Sequence, residues 1–331
     1  MPDFRFWPWI IERCSSGCVL VFHDIAAGPF CAFISDLGIQ RIVPLDELLL
    51  RARNRMPTTG LFAITVDDGV GATVRDLSAV MIARSWPGTF YLPTDGVESG
   101  APLPFHWWRA LRPHLPRQIL ALPSGPLDLR PPHAIDRLFL RLQRLWHTCH
   151  PSVYQPLIGE LVQFTVRHSG IPLESLQPPA PISWPEVEAL SRSDAIRFES
   201  HGATHTAMSA LSESSLIREM QHSRDLISLH TGRPCRHFAY PFGSPRSIGP
   251  SAPALAARFY DSASTMILGS VDSADPFLLP RIPIYPENSI AKARAKLLVK
   301  GRRFHLGAHS PLPAAGAGVY LPHDNGSRGA S

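Results

Sequence analysis

The sequence predicts an α/β fold of parallel strands alternating with helices and broken by a helical insertion. Three observations predict it. Apolar, β-rich runs alternate with stretches of helical spacing, and the strand–helix–strand order over residues 61–92 calls for parallel neighbours. The residues that carry chemistry stand where these strands stop, and in a parallel barrel those ends gather on one face. From about 101 to 180 the pattern changes to dense proline and helical periodicity. A chain of 331 residues with 44% hydrophobic content can bury one large core with excursions, or two ordinary ones.

The first strand spans 17–22 and ends at His23-Asp24, and a helix follows over 45–53. Leu61 to Val66 is a second strand, stopping at Asp67-Asp68-Gly69, where glycine permits a sharp turn. Val74, Leu77, Val80 and Met81 make a helical stripe over 72–84, and Gly88 to Leu92 is the next strand. Inside the insertion, Ile135, Phe139, Leu142 and Trp146 fall at helical spacing; this segment either flaps beside the site or packs as a spacer on the core. Ser183 and Glu186 have the spacing of a helix-opening capping box. Ala195 to Ser200 is a strand ending at His201, and 212–230 is a helix that stops at Thr231-Gly232. Further strands are expected at 236–240, 259–263 and 278–284. We expect one catalytic domain over 1–305 and a flexible tail over 306–331, which is rich in Ala, Gly, Pro and Ser.

Composition narrows the partners. The net charge is +5, but Lys and Arg are scattered and no nucleic-acid-binding motif accompanies them, which argues against nucleic acid. The five cysteines are too scattered for a disulfide framework or a cysteine zinc site and read as free thiols. No run reaches the roughly 18 apolar residues of a membrane span, and Arg5, Glu12 and Arg13 interrupt the start as a secretory leader would not allow. The expected location is therefore cytoplasmic or peripheral to the inner membrane face. Trp7, Trp9, Ile10 and Ile11 would either cap the fold or touch a membrane surface.

Adjacent aspartates at a strand end are poorly explained by folding, because like charges repel and burying either is costly. A cation removes that cost. His201 and His205, four residues apart, can aim both rings at one point. One carboxylate and two imidazoles leave open positions on a zinc-like ion, and the other carboxylate can then take a proton from water. Spacing alone supports a metallohydrolase.

The motifs go further. Thr65-Val66-Asp67-Asp68-Gly69, His201-Gly202-Ala203-Thr204-His205 and Phe238-Ala239-Tyr240-Pro241-Phe242-Gly243 resemble, in order, the three main motifs of the polysaccharide deacetylase (NodB-homology) family. Softer matches are Phe22-His23-Asp24, Gly88-Thr89-Phe90-Tyr91, Pro181-Ile182-Ser183-Trp184 and Leu279-Pro280-Arg281-Ile282, so the resemblance covers about 17–284. It implies a distorted (β/α) barrel and hydrolysis of an acetyl group, usually N-acetyl on an amino sugar, by a metal-bound water. It implies Asp67 as general base and Asp68, His201 and His205 as metal ligands. Tyr240, Pro241 and Phe242 would shape the substrate and oxyanion site, with the N–H near Phe242 as a donor.

The chain departs from the family in three places. Gly202 stands where the family has Ser or Thr. Ala239 stands where many members carry the Arg that orients the base; Arg236 and Arg281 are the candidate substitutes. The late Leu-x-His motif that supplies a general acid has no clear counterpart; His23 and His323, in Leu321-Pro322-His323-Asp324, are the candidates, and His23 is the better placed. Ser200, Thr204 and Thr206 are expected to shape the metal loop. Trp107, Trp108 and Trp184 either stack on sugar rings or belong to the core. Zinc suits the donor set best, with cobalt, nickel or manganese compatible. The expected partner is an acetylated glycan. A decayed scaffold that only binds carbohydrate, or a metallohydrolase of a non-sugar amide, are the rival readings.

Overall fold

The computed structural model describes residues 16–122, 125–272, 274–285 and 290–297. The apolar N-terminal residues, Cys14, the tail and His323 lie outside the described residues. The element order is β1 (Cys18–Phe22), α1 (Ala27–Asp36), β2 (Arg41–Ile42), α2 (Leu45–Arg53), β3 (Leu61–Val66), α3 (Gly71–Ala83), β4 (Gly88–Leu92), α4 (Thr94–Ser99) and α5 (Pro104–Leu111). A short antiparallel pair, β5 (Ile119–Leu120) and β6 (Leu127–Asp128), leads to α6 (Ala134–Thr148) and α7 (Pro151–Ser169). Then come α8 (Trp184–Leu190), β7 (Ile196–Ser200), α9 (Glu213–Thr231), β8 (His237–Ala239), α10 (Pro245–Ile248), α11 (Ala252–Phe259), β9 (Ser262–Ser264), β10 (Ile282–Pro283) and α12 (Ile290–Leu297).

The main sheet runs β10-β1-β3-β4-β7-β8-β9, with β2 added on β3, and every pairing in it is parallel. Strands β1, β3 and β4 are buried along their whole length, as expected of parallel strands covered on both faces. The sheet curls until one segment touches both of its ends: Leu279 bridges to Ser264 beyond β9, and Ile282 pairs with Leu20 of β1. This is the distorted (β/α) barrel. Parallel order makes Val66, Ser200 and Ala239 end their strands on the same side, so the residues after them meet.

Two expected strands are corrected. Residues 259–263 are not one strand: α11 runs to Phe259, opened by Pro253 near its start and held by buried Leu255 and Ala256, and the strand begins at Ser262. The apolar pair Phe259-Tyr260 is the end of a helix, not the start of a strand. Residues 278–284 keep only Ile282–Pro283 as strand, because Pro280 and Pro283 lack the N–H a ladder needs.

Two large apolar clusters divide the molecule. One lies inside and around the barrel, from Leu20 and Phe90 to Phe238 and Ile282. The other is built by residues 108–176, from Trp108 and Leu111 through Leu142 and Trp146 to Leu161 and Leu176. In α6, the stripe Ile135, Phe139, Leu142 and Trp146 is the buried face. Among the described residues no helix is long and apolar enough to cross a membrane.

Candidate active site

The turn after β3 places Asp67 and Asp68 side by side, 3% and 7% exposed. The loop after β7 brings His201 and His205 over them. Nε2 of His201 lies 3.6 Å from Asp68 Oδ1, and Nε2 of His205 lies 3.4 Å from the same oxygen. Three site residues hold left-handed backbone: Asp68 (φ 73°), His205 (φ 57°) and Phe242 (φ 60°). Such conformations cost free energy in non-glycine residues and persist where the surroundings enforce them.

The His201 loop is fixed from below. His201 Nδ1 donates to the Ala239 carbonyl at 2.7 Å, which fixes the ring and leaves Nε2 on the side of Asp68. Buried Glu219 of α9 accepts from the Thr204 N–H at 2.7 Å and from its hydroxyl at 2.9 Å. Ser200 Oγ accepts from the Gly202 N–H at 3.2 Å. The glycine at 202 has a physical reason: its φ is 80°, and a Cβ there would stand 3.0 Å from Glu219 Oε1. Thr204 and Thr206 bond each other at 2.6 Å, and so brace the loop.

Arg281, fully buried, forks onto Asp67 with Nη1 to Oδ1 at 2.8 Å and Nη2 to Oδ2 at 2.7 Å. Its Nε donates to the Thr265 carbonyl at 2.9 Å. Arg236, the other candidate, pairs with Asp46 and Asp261 at the opposite ends of the strands. His23 Nε2 stands 4.0 Å from Asp67 Oδ2, on a half-buried side chain. In the third motif, the Tyr240 N–H is taken by the Ser264 carbonyl and the hydroxyl by Phe277. Pro241 has no N–H to offer, and Phe242 lines the cleft. Gly243 is required behind it, since its φ is 54° and a Cβ would meet Met266 N at 2.5 Å.

Electrostatics follow the geometry. Burial pushes the Asp67 carboxyl up, but the charges of Arg281 and His201 outweigh it and hold the group below its ordinary value. Burial acts on Asp68 in the same way, and contact with His201 and His205 carries it well below. His201 rises against burial because Asp67 and Asp68 flank it, while burial wins at His205 and lowers it.

Asp68, His201 and His205 fit a divalent ion. Their donor atoms lie within 4.8 Å of one another, all three are buried, and the separations suit donors sharing one ion at roughly 2.0–2.2 Å. The chemistry of the set, one carboxylate and two imidazoles, is that of a zinc-type site with open positions.

The insertion stands beside the site, one of its two expected placements, but its aromatic lining was not read from the sequence. A cleft of about 260 Å³ rises from Asp67, Asp68, His201 and His205, and the insertion lines much of it with Phe105, His106, Trp108, Phe139, Trp146 and His147. Burial pushes both His106 and His147 down to about 4, so these two rings are neutral at pH 7. Arg109 of α5 bonds Asp24 at 2.6 Å across the mouth. The one available signal was the helical stripe of α6, which predicts a buried face but not what it covers. Of the three tryptophans singled out, Trp108 lines the cleft; Trp107 packs on the second cluster, and Trp184 stacks on His230 and bonds Glu98.

Comparison with known proteins agrees with this architecture. The family model described as polysaccharide deacetylase matches residues 55–250. No curated protein sequence matches significantly. Among solved structures, IcaB from Ammonifex degensii is similar at 13% identity and a TM-score of 0.53, covering 87% of this chain and 99% of its own. The Streptococcus pyogenes deacetylase PplD, solved with acetate, is similar at 13% identity and a TM-score of 0.52, covering 85% of this chain and 97% of its own. The deacetylase domain of BpsB from Bordetella bronchiseptica has 12% identity and a TM-score of 0.52, covering 82% and 97%. At these identities the likeness is one of fold.

Proposed function

The chain belongs to the polysaccharide deacetylase family, and on that premise we propose that it hydrolyses the N-acetyl group of an amino sugar or polysaccharide, with Asp67 as general base beside a divalent ion held by Asp68, His201 and His205. The observation that carries this reading is the division of labour between the two aspartates. Asp68 Oδ1 stands 3.6 and 3.4 Å from the Nε2 atoms of the two imidazoles, whereas Asp67, 3.8 Å from His201 Nε2, is gripped by Arg281. A bound ion would polarise the acyl carbonyl and lower the pKa of water at its open position.

The chain's own residues do the rest. Arg281 keeps Asp67 ionised and fixes the plane of its carboxylate, so an oxygen is available to take the proton of the attacking water. The same pairing lowers its basicity, so Arg281 positions the base at some expense of proton affinity. His23, beside Asp67 and open to the cleft, donates to the leaving amine. The Phe242 N–H holds the oxyanion as the carbonyl becomes tetrahedral. Zinc suits the donor set, and cobalt, nickel or manganese would also be accepted.

The test is acetate release from N-acetylated glucosamine oligomers with added divalent metal. Asp67→Asn should lower kcat by roughly 10²–10⁴-fold while the bound metal, measured by elemental analysis, stays at the wild-type level. His205→Ala should lose metal and activity together. An active wild type whose Asp67→Asn and His205→Ala variants keep full rates would overturn the assignment.

A further inference from the structure

The cleft has two unlike sides, and an acyl amide of a sugar has two unlike substituents. On the Asp67 side stand His23, Asp24 and Arg109, whose side chains are 27%, 28% and 32% exposed. This side is polar and opens to solvent. On the His205 side stand Phe105 and Phe242, with ring centroids 5.4 and 4.8 Å from that of His205. Behind them the cleft is lined by Phe139 and Trp146, 5% and 4% exposed, with Trp108 stacked 5.7 Å from Phe139. This side is aromatic and closed. His147, which stacks on Phe242 at 4.7 Å, adds a ring and no charge.

The wall offers few polar groups, the unpartnered His106 Nδ1, Trp108 Nε1 and Trp146 Nε1 with Gln143 and His147, so a hydroxylated sugar set there loses more hydration than it regains. The polar, open side is its place. The acyl substituent then points to the His205 side. For an acetyl group that means one methyl set against five aromatic rings, most of which it would not reach. A volume of about 260 Å³ lies just below the roughly 300–1,000 Å³ of ordinary small-molecule pockets. That suits one sugar residue at a chain end, or a small glycoside, together with a sizeable acyl group.

We propose that the insertion-built wall is an acyl-binding subsite, and that the enzyme prefers N-acyl groups of four to six carbons, or an aromatic acyl group, over acetyl. This rests on the hydrolytic reading of the same centre. Water attacks the acyl carbonyl, the C–N bond breaks, one proton goes to the amine, and a short-chain carboxylic acid and the free amino sugar leave. Acetyl substrates remain substrates, held by the centre without the wall.

The experiment is a substrate series on the metal-loaded, full-length protein: N-acetyl, N-butanoyl, N-hexanoyl and N-benzoyl glucosamine, with free amine as the readout. Each methylene that reaches the wall should improve kcat/KM by roughly fourfold, so the butanoyl substrate should exceed the acetyl one by roughly tenfold or more. Narrowing the wall with Gln143→Trp, from a half-buried position of α6 in the cleft lining, should bring the hexanoyl-to-acetyl and benzoyl-to-acetyl ratios of kcat/KM down to one or below. A second measurement needs no turnover: hexanoate and benzoate should bind by calorimetry at least tenfold more tightly than acetate. Rates that fall steadily from acetyl to hexanoyl, with equal binding of the three acids, would overturn the subsite. Release of no amine from any member would instead sink the hydrolytic reading, and tighter hexanoate binding would still report the wall.

Discussion

The strand ends and the helical insertion face each other across one cleft, yet they hold their side chains by different means. At the strand ends polar bonds tie Asp67 to Arg281, His201 to the Ala239 carbonyl and the Thr204 loop to Glu219. The insertion presents rings held mainly by packing, in an apolar cluster of its own, with one long contact of 3.5 Å between His147 Nδ1 and Ser244 Oγ. The difference teaches which part can vary. Directional bonds set distances to a few tenths of an ångström, as proton transfer needs. Packing sets only volume and polarity, which is what a choice between substrates needs.

Removing the tie at the base should have the largest effect. Arg281→Met keeps the stem and deletes the fork, leaving a buried, unpaired carboxylate. A loss of about 3–5 kcal/mol of stability is expected by chemical denaturation, together with a rise in the Asp67 pKa that shifts the acid limb of the kcat profile upward. Retention of wild-type stability would break the claim that polar ties organise this side. Cutting the insertion's packing tests the other half. Leu142→Ala, at a fully buried position, should cost about 2–5 kcal/mol, with faster amide exchange concentrated in 104–176 and metal content unchanged. Loss of metal in that variant would show that the two regions are one unit.

Glu219→Leu removes the acceptor under the His201 loop. Divalent ion affinity should fall by roughly 10–100-fold with little change in acyl preference, measured by metal titration. The smallest effect is expected at the far ends of the strands, where His237 bonds Asp46 at 3.0 Å and Ser262 at 2.8 Å. Contact with His237 lowers Asp46; burial opposes charging of His237, but Asp46 and Glu199 outweigh it and raise the imidazole. A lowered carboxyl stabilises above its unfolded value and loses this as pH falls through its folded one. A raised imidazole stabilises below its unfolded value and loses this as pH climbs through its folded one. Asp46→Asn should therefore cost most between the ordinary values of 3.8 and 6.5 and less above them. With Asp46 half exposed, the cost should be no more than about 1 kcal/mol. A flat difference across pH would remove the pair from the account.

Much of the barrel was legible because parallel strands write themselves as short apolar runs, and the chemistry stands at their ends. Asp67, Asp68, His201 and His205 could be read as a set because each pair is local in sequence. The partner of Asp67 could not be chosen. Arg236 and Arg281 both follow or precede strand-like runs, and only the closure of the sheet sends one to the cleft and the other to Asp46 and Asp261. Gly202 looked like a lost hydroxyl, although the left-handed turn over Glu219 favours glycine there. The aromatic wall was hidden for a different reason. Helical spacing marks Phe139 and Trp146 as buried, and periodicity says nothing about which cluster or cleft a buried face meets.

The bond between Asp67 and Arg281 joins residues 214 positions apart. A chain emerging from the ribosome therefore completes His201 and His205 long before Asp67 has its counterion. Such a contact carries a large loop-closure cost and forms late among those of its fold. A fragment ending before Arg281 would then hold Asp68, His201 and His205 without the counterion of Asp67.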